Sequence, residues 1–418
     1  MKIKAGSEND ESKGDLQQPI VNLLPEVLVL EASMIENRRR LHRNPETAFE
    51  EFETAAFIAE RLRAFGMNVT EGVGRTGVVG ILQGASPGKC IALRADMDAL
   101  PLQEENDLEF KSEVDGKMHA CGHDGHVAIL LCVAEILSAQ RDRLQGTLKF
   151  IFQPAEETFG GAFFMIQDGV LENPHVDEIY GLHLNTVWTY GTANVTLGPA
   201  NASNDRIRIT ITGSGGHGAS PQFTEDVIMI GAALISQLHT IVSRNISALD
   251  SAVLSVTLFN AGTTYNIIPE TATMLASCRA FTADIRDLVL IRIQAICSGL
   301  AEAHGVEINV EFNPESPGYP PNINNSESMW RSVVTAMEKV VPDGVRTDYV
   351  STGSEDFAFF TQERPACYFR VGIAPETNGE PSHHSPSFLM DERSLALAAC
   401  VWVNLMRDVA VAKQSSKT

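Results

Sequence analysis

The stretch Met118-His-Ala-Cys-Gly-His-Asp-Gly-His126 carries one thiol, three imidazoles and one carboxylate within nine residues. A thiol together with imidazoles favours zinc, cobalt, nickel or manganese over calcium or magnesium. Any one of these side chains alone is more often a buried cysteine or a histidine at a helix start. Because further His and Glu clusters follow along the chain, the stretch instead indicates one part of a metal site assembled from distant segments.

Within this stretch, Cys121 and His123 are the expected ligands, two residues apart at the start of a helix. His119 and His126 are expected to support the ligands or to lie on a helix face. A redox role for Cys121 is disfavoured because no second cysteine lies nearby in the sequence.

The composition is that of a soluble globular protein. The 418 residues are 44% hydrophobic and 20% charged, and the formal net charge is −21. A chain of this length predicts two or three domains. The acidic excess argues against nucleic acid as a partner, because phosphate backbones are bound by clustered Lys and Arg. Seven cysteines without a CxxC pair predict a reducing compartment, so we expect a cytoplasmic protein.

The N-terminal residues 1–18 are polar and of mixed charge, so we expect them to be disordered. They lack the apolar core of a signal peptide. No run approaches the ~18 apolar residues that a membrane helix needs, so no membrane association is expected.

The pattern of apolar runs predicts an α/β protein. Short apolar strands alternate with helices over residues 19–199 and again over 314–418, which predicts a mostly parallel sheet covered on both faces. Ligands of such sheets collect at the carboxyl ends of the strands. The acidic and histidine side chains expected at those ends are Asp96 and Asp98 after Cys90–Leu93, Glu156 and Glu157 after Leu148–Phe152, and His183 after Ile179–Tyr180.

Residues 200–313 follow a different pattern. The run Arg206–Thr212 alternates polar and apolar residues, as in a sheet with one wet face. The segment as a whole reads β-α-β-β-α-β, which predicts an inserted ferredoxin-like domain. Residues 19–199 and 314–418, on either side of this insertion, are therefore expected to form one larger, metal-binding catalytic domain.

Glu156 and Glu157 are expected to divide two roles. One can bind a metal while its neighbour faces the attacking water as a general base. Two solvated carboxylates in a loop would be the ordinary alternative, and the pair is favoured because it follows a buried strand. His183 and the pair His383-His384 would each be structural or simply exposed if taken alone.

The segment Gly213-Ser-Gly-Gly-His-Gly218 matches GxGxxG after a strand, a pattern that also occurs in dinucleotide-binding sites. Such a site is disfavoured, because Pro221 and polar residues separate the glycines from the next helix. The strand Ala252–Phe259 also lacks an acidic residue to bind a ribose. Gly215 and Gly216 more plausibly let the backbone bend to present His217. In the same domain, Asn266 and Arg279 can bind a carboxylate or an oxyanion, although a turn Asn and a half-exposed Arg are common without function.

Taken together, these motifs resemble those of the metal-dependent amidohydrolases that include hippurate hydrolase, bacterial N-acyl-amino-acid amidohydrolases and plant indole-acetyl-amino-acid hydrolases, relatives of aminoacylase and carboxypeptidase G. The resemblance runs in order from about Leu41 to Glu392. The matching segments are Leu-His-Arg-Asn-Pro-Glu (41–46), Arg-Ala-Asp-Met-Asp-Ala-Leu-Pro (94–101), Met-His-Ala-Cys-Gly-His-Asp (118–124), Pro-Ala-Glu-Glu (154–157), Gly-Leu-His (181–183), Gly-Gly-His-Gly-Ala-Ser-Pro (215–221), Asn-Ile-Ile-Pro (266–269), Gly-Ser-Glu-Asp-Phe (353–357) and His-Ser-Pro-Ser-Phe (384–388).

The resemblance implies two divalent metal ions per subunit and a role for each matching side chain. The implied metal ligands are Cys121, His123, Glu157, His183 and His384. The implied catalytic and substrate-binding residues are Glu156 as general base, Asp98 as the carboxylate that orients a ligand, His217 for the oxyanion, and Asn266, Arg279, Gly353 and Ser354 for the substrate. Asp96 stands where more distant relatives carry a histidine ligand, so its role stays open.

The resemblance also implies hydrolysis of the amide bond of N-acyl amino acids. His217 would then act either from the lid of its own chain or from a partner subunit, with the inserted domain forming a homodimer or a higher homo-oligomer. A dipeptidase or exopeptidase on the same scaffold is the first alternative. A non-catalytic metal-dependent binding protein is the second, and the intact Glu156, Glu157 and His217 argue against it.

Overall fold

The computed structural model describes residues 19–376 and 382–411, so the predicted disordered segment 1–18 lies outside the described residues. The α-helices within these ranges are α1 Pro25–Arg43, α2 Phe52–Ala64, α3 His123–Ala139, α4 Gly161–Gln167, α5 Val227–Asn245, α6 Ala283–His304, α7 Glu327–Val340, α8 Ala358–Glu363 and α9 Arg393–Val409. The β-strands are β1 Asn68–Val73, β2 Gly77–Gln83, β3 Ser86–Asp96, β4 Gln145–Gln153, β5 Glu178–Thr189, β6 Ala193–Asn194, β7 Gly198–Asn201, β8 Asp205–Thr212, β9 Gly216–His217, β10 Ala252–Ala261, β11 Ile267–Ile268, β12 Thr271–Ala280, β13 Glu307–Phe312, β14 Asn322–Asn324, β15 Val345–Arg346 and β16 Ala366–Ala374.

Eight strands form the large central sheet, in the order β1-β2-β4-β3-β5-β16-β6-β15. Its centre is parallel, because β3 pairs in parallel with both β4 and β5, and β5 pairs in parallel with β16. Antiparallel pairs occur at β1-β2, β2-β4 and β16-β6. The prediction of an α/β protein with a large, mostly parallel sheet is therefore confirmed.

Apolar helices cover one face of this sheet, and α3 is the most deeply buried of them. Twelve consecutive residues from His123 to Ala134 are buried, as a helix between a sheet and other helices requires. The helix begins at His123, so Cys121 and His123 lie at a helix start as expected. Gly122 precedes it with a φ of 92°, a left-handed conformation that favours glycine. His123 therefore lies in the first helical turn, directly below the end of the sheet.

A second sheet of four antiparallel strands, β10-β12-β8-β13, lies between β7 and β14 in sequence. The alternation noted in Arg206–Thr212 places Ile207, Ile209 and Ile211 on its buried face. Helices α5 and α6 cover that face and form a hydrophobic cluster separate from those of the large sheet. We refer to β8 to β13 with these helices as the small-sheet unit.

Helix α5 alone among the described helices is long and apolar enough to cross a membrane. It nevertheless carries an Asp226 N-cap, whose carboxylate accepts hydrogen bonds from two backbone N–H groups. Leu234 and Leu238 on one side of it pack in the hydrophobic cluster of the small-sheet unit. This is the packing expected of an amphipathic helix that covers a sheet.

Candidate metal centre

Cys121 and His183 meet at the carboxyl end of the large sheet. Cys121 precedes α3, His183 lies in β5, and the Sγ and Nε2 atoms are 3.5 Å apart. His183 Nδ1 donates a hydrogen bond to the carbonyl oxygen of Leu184, which leaves Nε2 as the unprotonated nitrogen of the neutral ring. One donor atom each of Cys121, His123 and His183 lie within 4.8 Å of one another. The three side chains are thus placed to share one cation.

Glu157 and His384 complete the group from the opposite side. The Nε2 atom of His384 is 3.2 Å from Oε1 of Glu157, and one donor atom of each lies within 4.8 Å of Cys121 Sγ. His384 adopts the left-handed φ of 62°, which is uncommon for a residue other than glycine. Its backbone N–H donates to the carbonyl oxygen of Ala120 at 2.8 Å, which ties the C-terminal loop to the stretch that contains Cys121.

Asp98 orients two members of the group. His123 Nδ1 lies 2.9 Å from the Asp98 carbonyl oxygen and 3.2 Å from its Oδ1, so Nδ1 carries the proton and Nε2 is free to bind a cation. The other carboxylate oxygen of Asp98 accepts a hydrogen bond from the backbone N–H of Glu157 at 3.1 Å. The orienting role implied for Asp98 therefore has a direct structural basis in these contacts.

Two of the candidate residues occupy a different position on the strands from the one expected. Asp96 is the last residue of β3 and His183 lies inside β5, which continues to Thr189, so neither follows its strand. Glu156 lies three residues beyond the end of β4, in a turn, so it follows its strand as expected. Strands in buried sheets extend past their apolar run when side chains of the site cover their ends, so the apolar pattern underestimates their length.

Two atoms of the group that could bind a metal are buried and make no hydrogen bond with the described residues. These are His123 Nε2 and Glu157 Oε1, which lie 3.9 Å apart; the 3.2 Å contact between Glu157 Oε1 and His384 Nε2 is close enough for an ion pair but does not have the geometry of a hydrogen bond. A buried nitrogen lone pair and a buried carboxylate oxygen without partners are costly unless a cation satisfies both. Together with the thiol and imidazoles, they fit a divalent transition metal.

The electrostatics of the group also favour added positive charge. Burial, and then the negative charge of Glu157, raises the pKa of the Cys121 thiol well above its ordinary value. Burial, and then Glu355, raises the pKa of Glu156 in the same way. Burial lowers the pKa of His123, but the carboxylates of Asp96 and Asp98 outweigh it and raise that pKa to about 10. Buried negative charge contributes to all three shifts, and bound cations would neutralise it.

Asp96 takes part in a buried hydrogen-bond network behind the group. One of its oxygens accepts a hydrogen bond from His126 Nδ1, and the other is 2.7 Å from Arg94 Nη1. His126 Nε2 accepts a hydrogen bond from the backbone N–H of Leu184 at 2.9 Å. Both nitrogens of His126 are therefore engaged, which agrees with its expected role as a supporting residue.

A cavity of about 380 Å³ is lined by four members of the group, Cys121, Glu157, His183 and His384. Of the residues expected to bind substrate, Arg279, Gly353 and Ser354 line this cavity. Arg279 belongs to β12 of the small-sheet unit, whereas the other two precede α8. The cavity is thus bounded by both sheets.

His217 and Asn266 do not line this cavity. Both are exposed and lie together, because β9 and β11 pair so that His217 faces Ile267. His217 Nδ1 accepts a hydrogen bond from the backbone N–H of Ala219 at 3.0 Å, which leaves Nε2–H as a free donor. Within the described residues, the two side chains form a second cluster apart from the metal-binding group.

Several cavity residues were not selected from the sequence. His383, Glu355, Asn201 and Arg370 line the cavity, and Glu355 has a carboxylate oxygen within 4.8 Å of one of Glu156. Arg370 could have been found from the sequence, because it is the one charged residue in the apolar run 366–374. Glu355 lies in the motif 353–357, of which only the first two residues were assigned.

Comparison with known proteins places this geometry in a family. Residues 92–408 match the model of peptidase family M20/M25/M40. The chain is 38% identical to hippurate hydrolase of Campylobacter jejuni, over 92% of this chain and 98% of that protein. It is 43% identical to N-acyl-L-amino acid amidohydrolase of Geobacillus stearothermophilus, over 74% of this chain and 82% of that protein.

Among solved structures, the chain is similar to a dinuclear metal-binding peptidase of the M20 family from Bacillus subtilis. The TM-score is 0.77 and the identity is 33%, with 90% of this chain and 97% of that chain covered. The segment 92–408 that matches the family model contains every residue of the metal-binding group. The chain is therefore a hydrolase that belongs to peptidase family M20/M25/M40.

Proposed function

We propose that this hydrolase cleaves the amide bond of N-acyl amino acids, such as N-acetyl or N-benzoyl conjugates, at a centre that holds two divalent cations. One observation carries the proposal: five side chains from four distant segments come together, and four of them line one cavity with the carboxylate of Glu156. The names of the amidohydrolase relatives support the same substrate class.

The residues proposed to hold the cations are Cys121, His123, Glu157, His183 and His384. Zinc, manganese, cobalt and nickel all suit this combination of thiolate, imidazole and carboxylate. Bound there, the cations would polarise the scissile carbonyl group and lower the pKa of a water molecule. The remaining chemistry belongs to the side chains of the chain itself.

Glu156 is proposed to take the proton of the attacking water and to deliver it to the leaving amine. Its backbone carbonyl oxygen accepts a hydrogen bond from the hydroxyl of Tyr319 at 2.7 Å, and its Oε1 lies 3.3 Å from the backbone nitrogen of Asp356. Glu156 is 8% exposed and lines the cavity, so its carboxylate is held rigidly yet faces the substrate space. This is the placement that a general base needs.

His217 is proposed to stabilise the oxyanion from a second copy of the chain, with Asn266 beside it. The support is their position outside the cavity and the free Nε2–H of His217. Exposed apolar side chains surround them, since Tyr265 is 98% and Phe223 79% exposed. Residues 200–313 would then serve as the dimerisation domain, and closure of the same domain as a lid is the alternative route for His217.

The substrate carboxylate is proposed to bind at Arg279, with Gly353 and Ser354 on the facing wall. Arg279 Nη1 is buried without a hydrogen-bond partner among the described residues. A guanidinium group with a free nitrogen is suited to a carboxylate. The α-carboxylate of an N-acyl amino acid would satisfy it.

An exopeptidase or dipeptidase activity is the second candidate, favoured by the likeness to an M20 peptidase structure. The test is a panel of N-acetyl and N-benzoyl amino acids beside dipeptides, assayed with the metal-loaded protein. The proposal expects the N-acyl amino acids to be cleaved with the higher kcat/KM and a chelator to abolish the activity. A higher kcat/KM for dipeptides would replace the proposal with the second candidate.

A further inference from the structure

Arg370 is a buried arginine in the wall of the cavity whose charge has no carboxylate partner in the described part of the chain. It is 2% exposed. Its Nη2 donates to Asn201 Oδ1 at 2.6 Å and to the carbonyl oxygen of Ala200 at 3.1 Å, and both acceptors are neutral. Its Nη1 has no hydrogen-bond partner among the described residues. Glu355 acts on this charge electrostatically but pairs with Arg94. A buried guanidinium nitrogen without a partner is costly, so this position is suited to an anion from outside the chain.

The guanidinium group of Arg370 is held in place. The ring centroids of Tyr368 and Tyr349 lie 5.2 Å and 5.5 Å from its central carbon, within the range of a cation–π contact. In the sheet, Arg370 on β16 is in register with His183 on β5. Burial lowers its pKa, but an arginine remains protonated in proteins. A fixed positive charge therefore lies beside the strand that supplies one proposed metal ligand.

Arg279 supplies a second positive charge to the same cavity from a different sheet. It lies on β12 of the small-sheet unit, and its Nη1 also lacks a partner among the described residues. Arg279 and Arg370 share no hydrogen-bond partner. The third arginine of the cavity, Arg206, donates to the carbonyl oxygen of Thr158 at 3.3 Å. Among the described residues, the cavity thus presents two guanidinium groups that each have a buried nitrogen without a hydrogen-bond partner.

We propose that the cavity selects N-acyl amino acids that carry a second carboxylate, with Arg279 binding the α-carboxylate and Arg370 the additional one. The substrate class is the N-acyl derivatives of glutamate and aspartate. This proposal rests on the proposed function, because it assigns the substrate of the same site. Arg370 acts here as a specificity-determining residue that touches the substrate and takes no part in bond cleavage.

The test compares N-acetyl-L-glutamate with N-acetyl-L-glutamine, which have nearly the same size and differ by one charge. The metal-loaded protein should show a kcat/KM ratio of at least about 10 in favour of the glutamate derivative. Arg370→Met should lower that ratio by about 10- to 100-fold, mainly through KM, because one charge-assisted hydrogen bond is lost. Arg331→Met, which removes an exposed arginine from α7, should leave the ratio as in the parent protein.

A second variant neutralises the positive charge of Arg370 and keeps the arginine itself. Asn201→Asp places a carboxylate where the Asn201 side-chain oxygen already accepts a hydrogen bond from Arg370 Nη2. Arg370 would then form an ion pair within the chain and would no longer favour an anion from the substrate. The variant should lower the ratio in the same direction. This variant decides the question if Arg370→Met does not fold.

A binding measurement separates this proposal from the proposed function. Calorimetry of the metal-loaded Glu156→Gln variant should show tighter binding of N-acetyl-L-glutamate than of N-acetyl-L-glutamine. If the parent protein cleaves no N-acyl amino acid, the proposed function fails, while the calorimetric preference still tests Arg370. Equal binding of the two compounds, or an unchanged kcat/KM ratio in folded Arg370→Met, would overturn the proposal.

Discussion

His384 Nε2 lies 3.2 Å from Glu157 Oε1, although 227 positions of sequence separate the two residues (384 − 157). Histidine and glutamate side chains are both common ligands of divalent cations, and two that lie this close are placed to share one ion. We therefore expect His384→Ala to lower the number of tightly bound divalent cations per chain below two. Elemental analysis after dialysis against a weak chelator measures this number.

The control for this experiment is His175→Ala, because His175 is an exposed histidine paired with Glu172 on the surface. It should retain the cation content of the parent protein. An unchanged cation content in His384→Ala would remove His384 from the proposed ligands.

Replacement of Glu156 should separate catalysis from cation binding. Glu156→Gln keeps the shape of the side chain but cannot accept a proton, so kcat should fall by about 10²- to 10⁴-fold. The cation content should stay that of the parent, because Glu157 and not Glu156 is the proposed ligand. Steady-state kinetics and elemental analysis on the same preparation check both parts. A kcat like that of the parent would exclude Glu156 as the base.

The position of His217 can be tested by mixing two inactive variants. If His217 acts on the cavity of a partner, His217→Ala and Glu156→Gln chains should complement each other when they exchange subunits. A statistical mixture of dimers should then regain about a quarter of the parent activity, since half of the dimers are mixed and each has one intact site. No recovery, in a mixture shown to exchange by size and mass analysis, would favour closure of the lid within one chain.

The stability of the chain should depend on pH through Glu51. Burial, and then the nearby negative charge of Asp98, raises its pKa from 4.5 to about 7, against hydrogen bonds donated by Thr76 Oγ1 and the backbone N–H of Ala155. The folded pKa lies above the unfolded value, so the neutral form is favoured on folding. Its stabilising contribution is complete below pH 4.5 and is lost as the pH rises to 7, a change on the order of 3 kcal/mol.

Glu51→Gln should remove this dependence, because its amide can accept from Ala155 and donate to Thr76 Oγ1. The free energy of unfolding of metal-free protein, measured between pH 5 and 8, should fall less in the variant than in the parent. Glu53→Gln, an exposed substitution in the first turn of α2, is the matched control and should follow the parent. Parallel curves for the parent and Glu51→Gln would contradict the prediction.

The fold class could be predicted because buried parallel strands and amphipathic helices leave strong periodic signals. The proposed ligands could be selected because thiol, imidazole and carboxylate side chains rarely concentrate by chance. The apolar pattern of α3 alone begins only at Val127, because His123, Asp124 and Gly125 precede its apolar residues. The start at His123 was therefore predicted from the cluster of ligand residues and not from periodicity. The hydrophobic pattern of a segment shows which of its faces is buried, but not which distant residues contact that face.

Arg370 and His217 show where such local information ends. Arg370 interrupts an apolar run, and the sequence does not reveal that its acceptors, Asn201 and Ala200, are neutral. Whether a charge is compensated depends on residues far away in the chain. The distance of His217 from the cavity depends on how the small-sheet unit sits relative to the large sheet or to another subunit. No motif encodes that relationship.

The loop that carries His384 is followed by the buried helix α9. Because proteins are synthesised from the N-terminus, the last proposed ligand is made after the other four. The cation pair can then be acquired in full only after residue 384 has been synthesised. A product that terminated before residue 384 would lack one ligand and α9, so metal uptake would distinguish such truncated products from chains that contain His384.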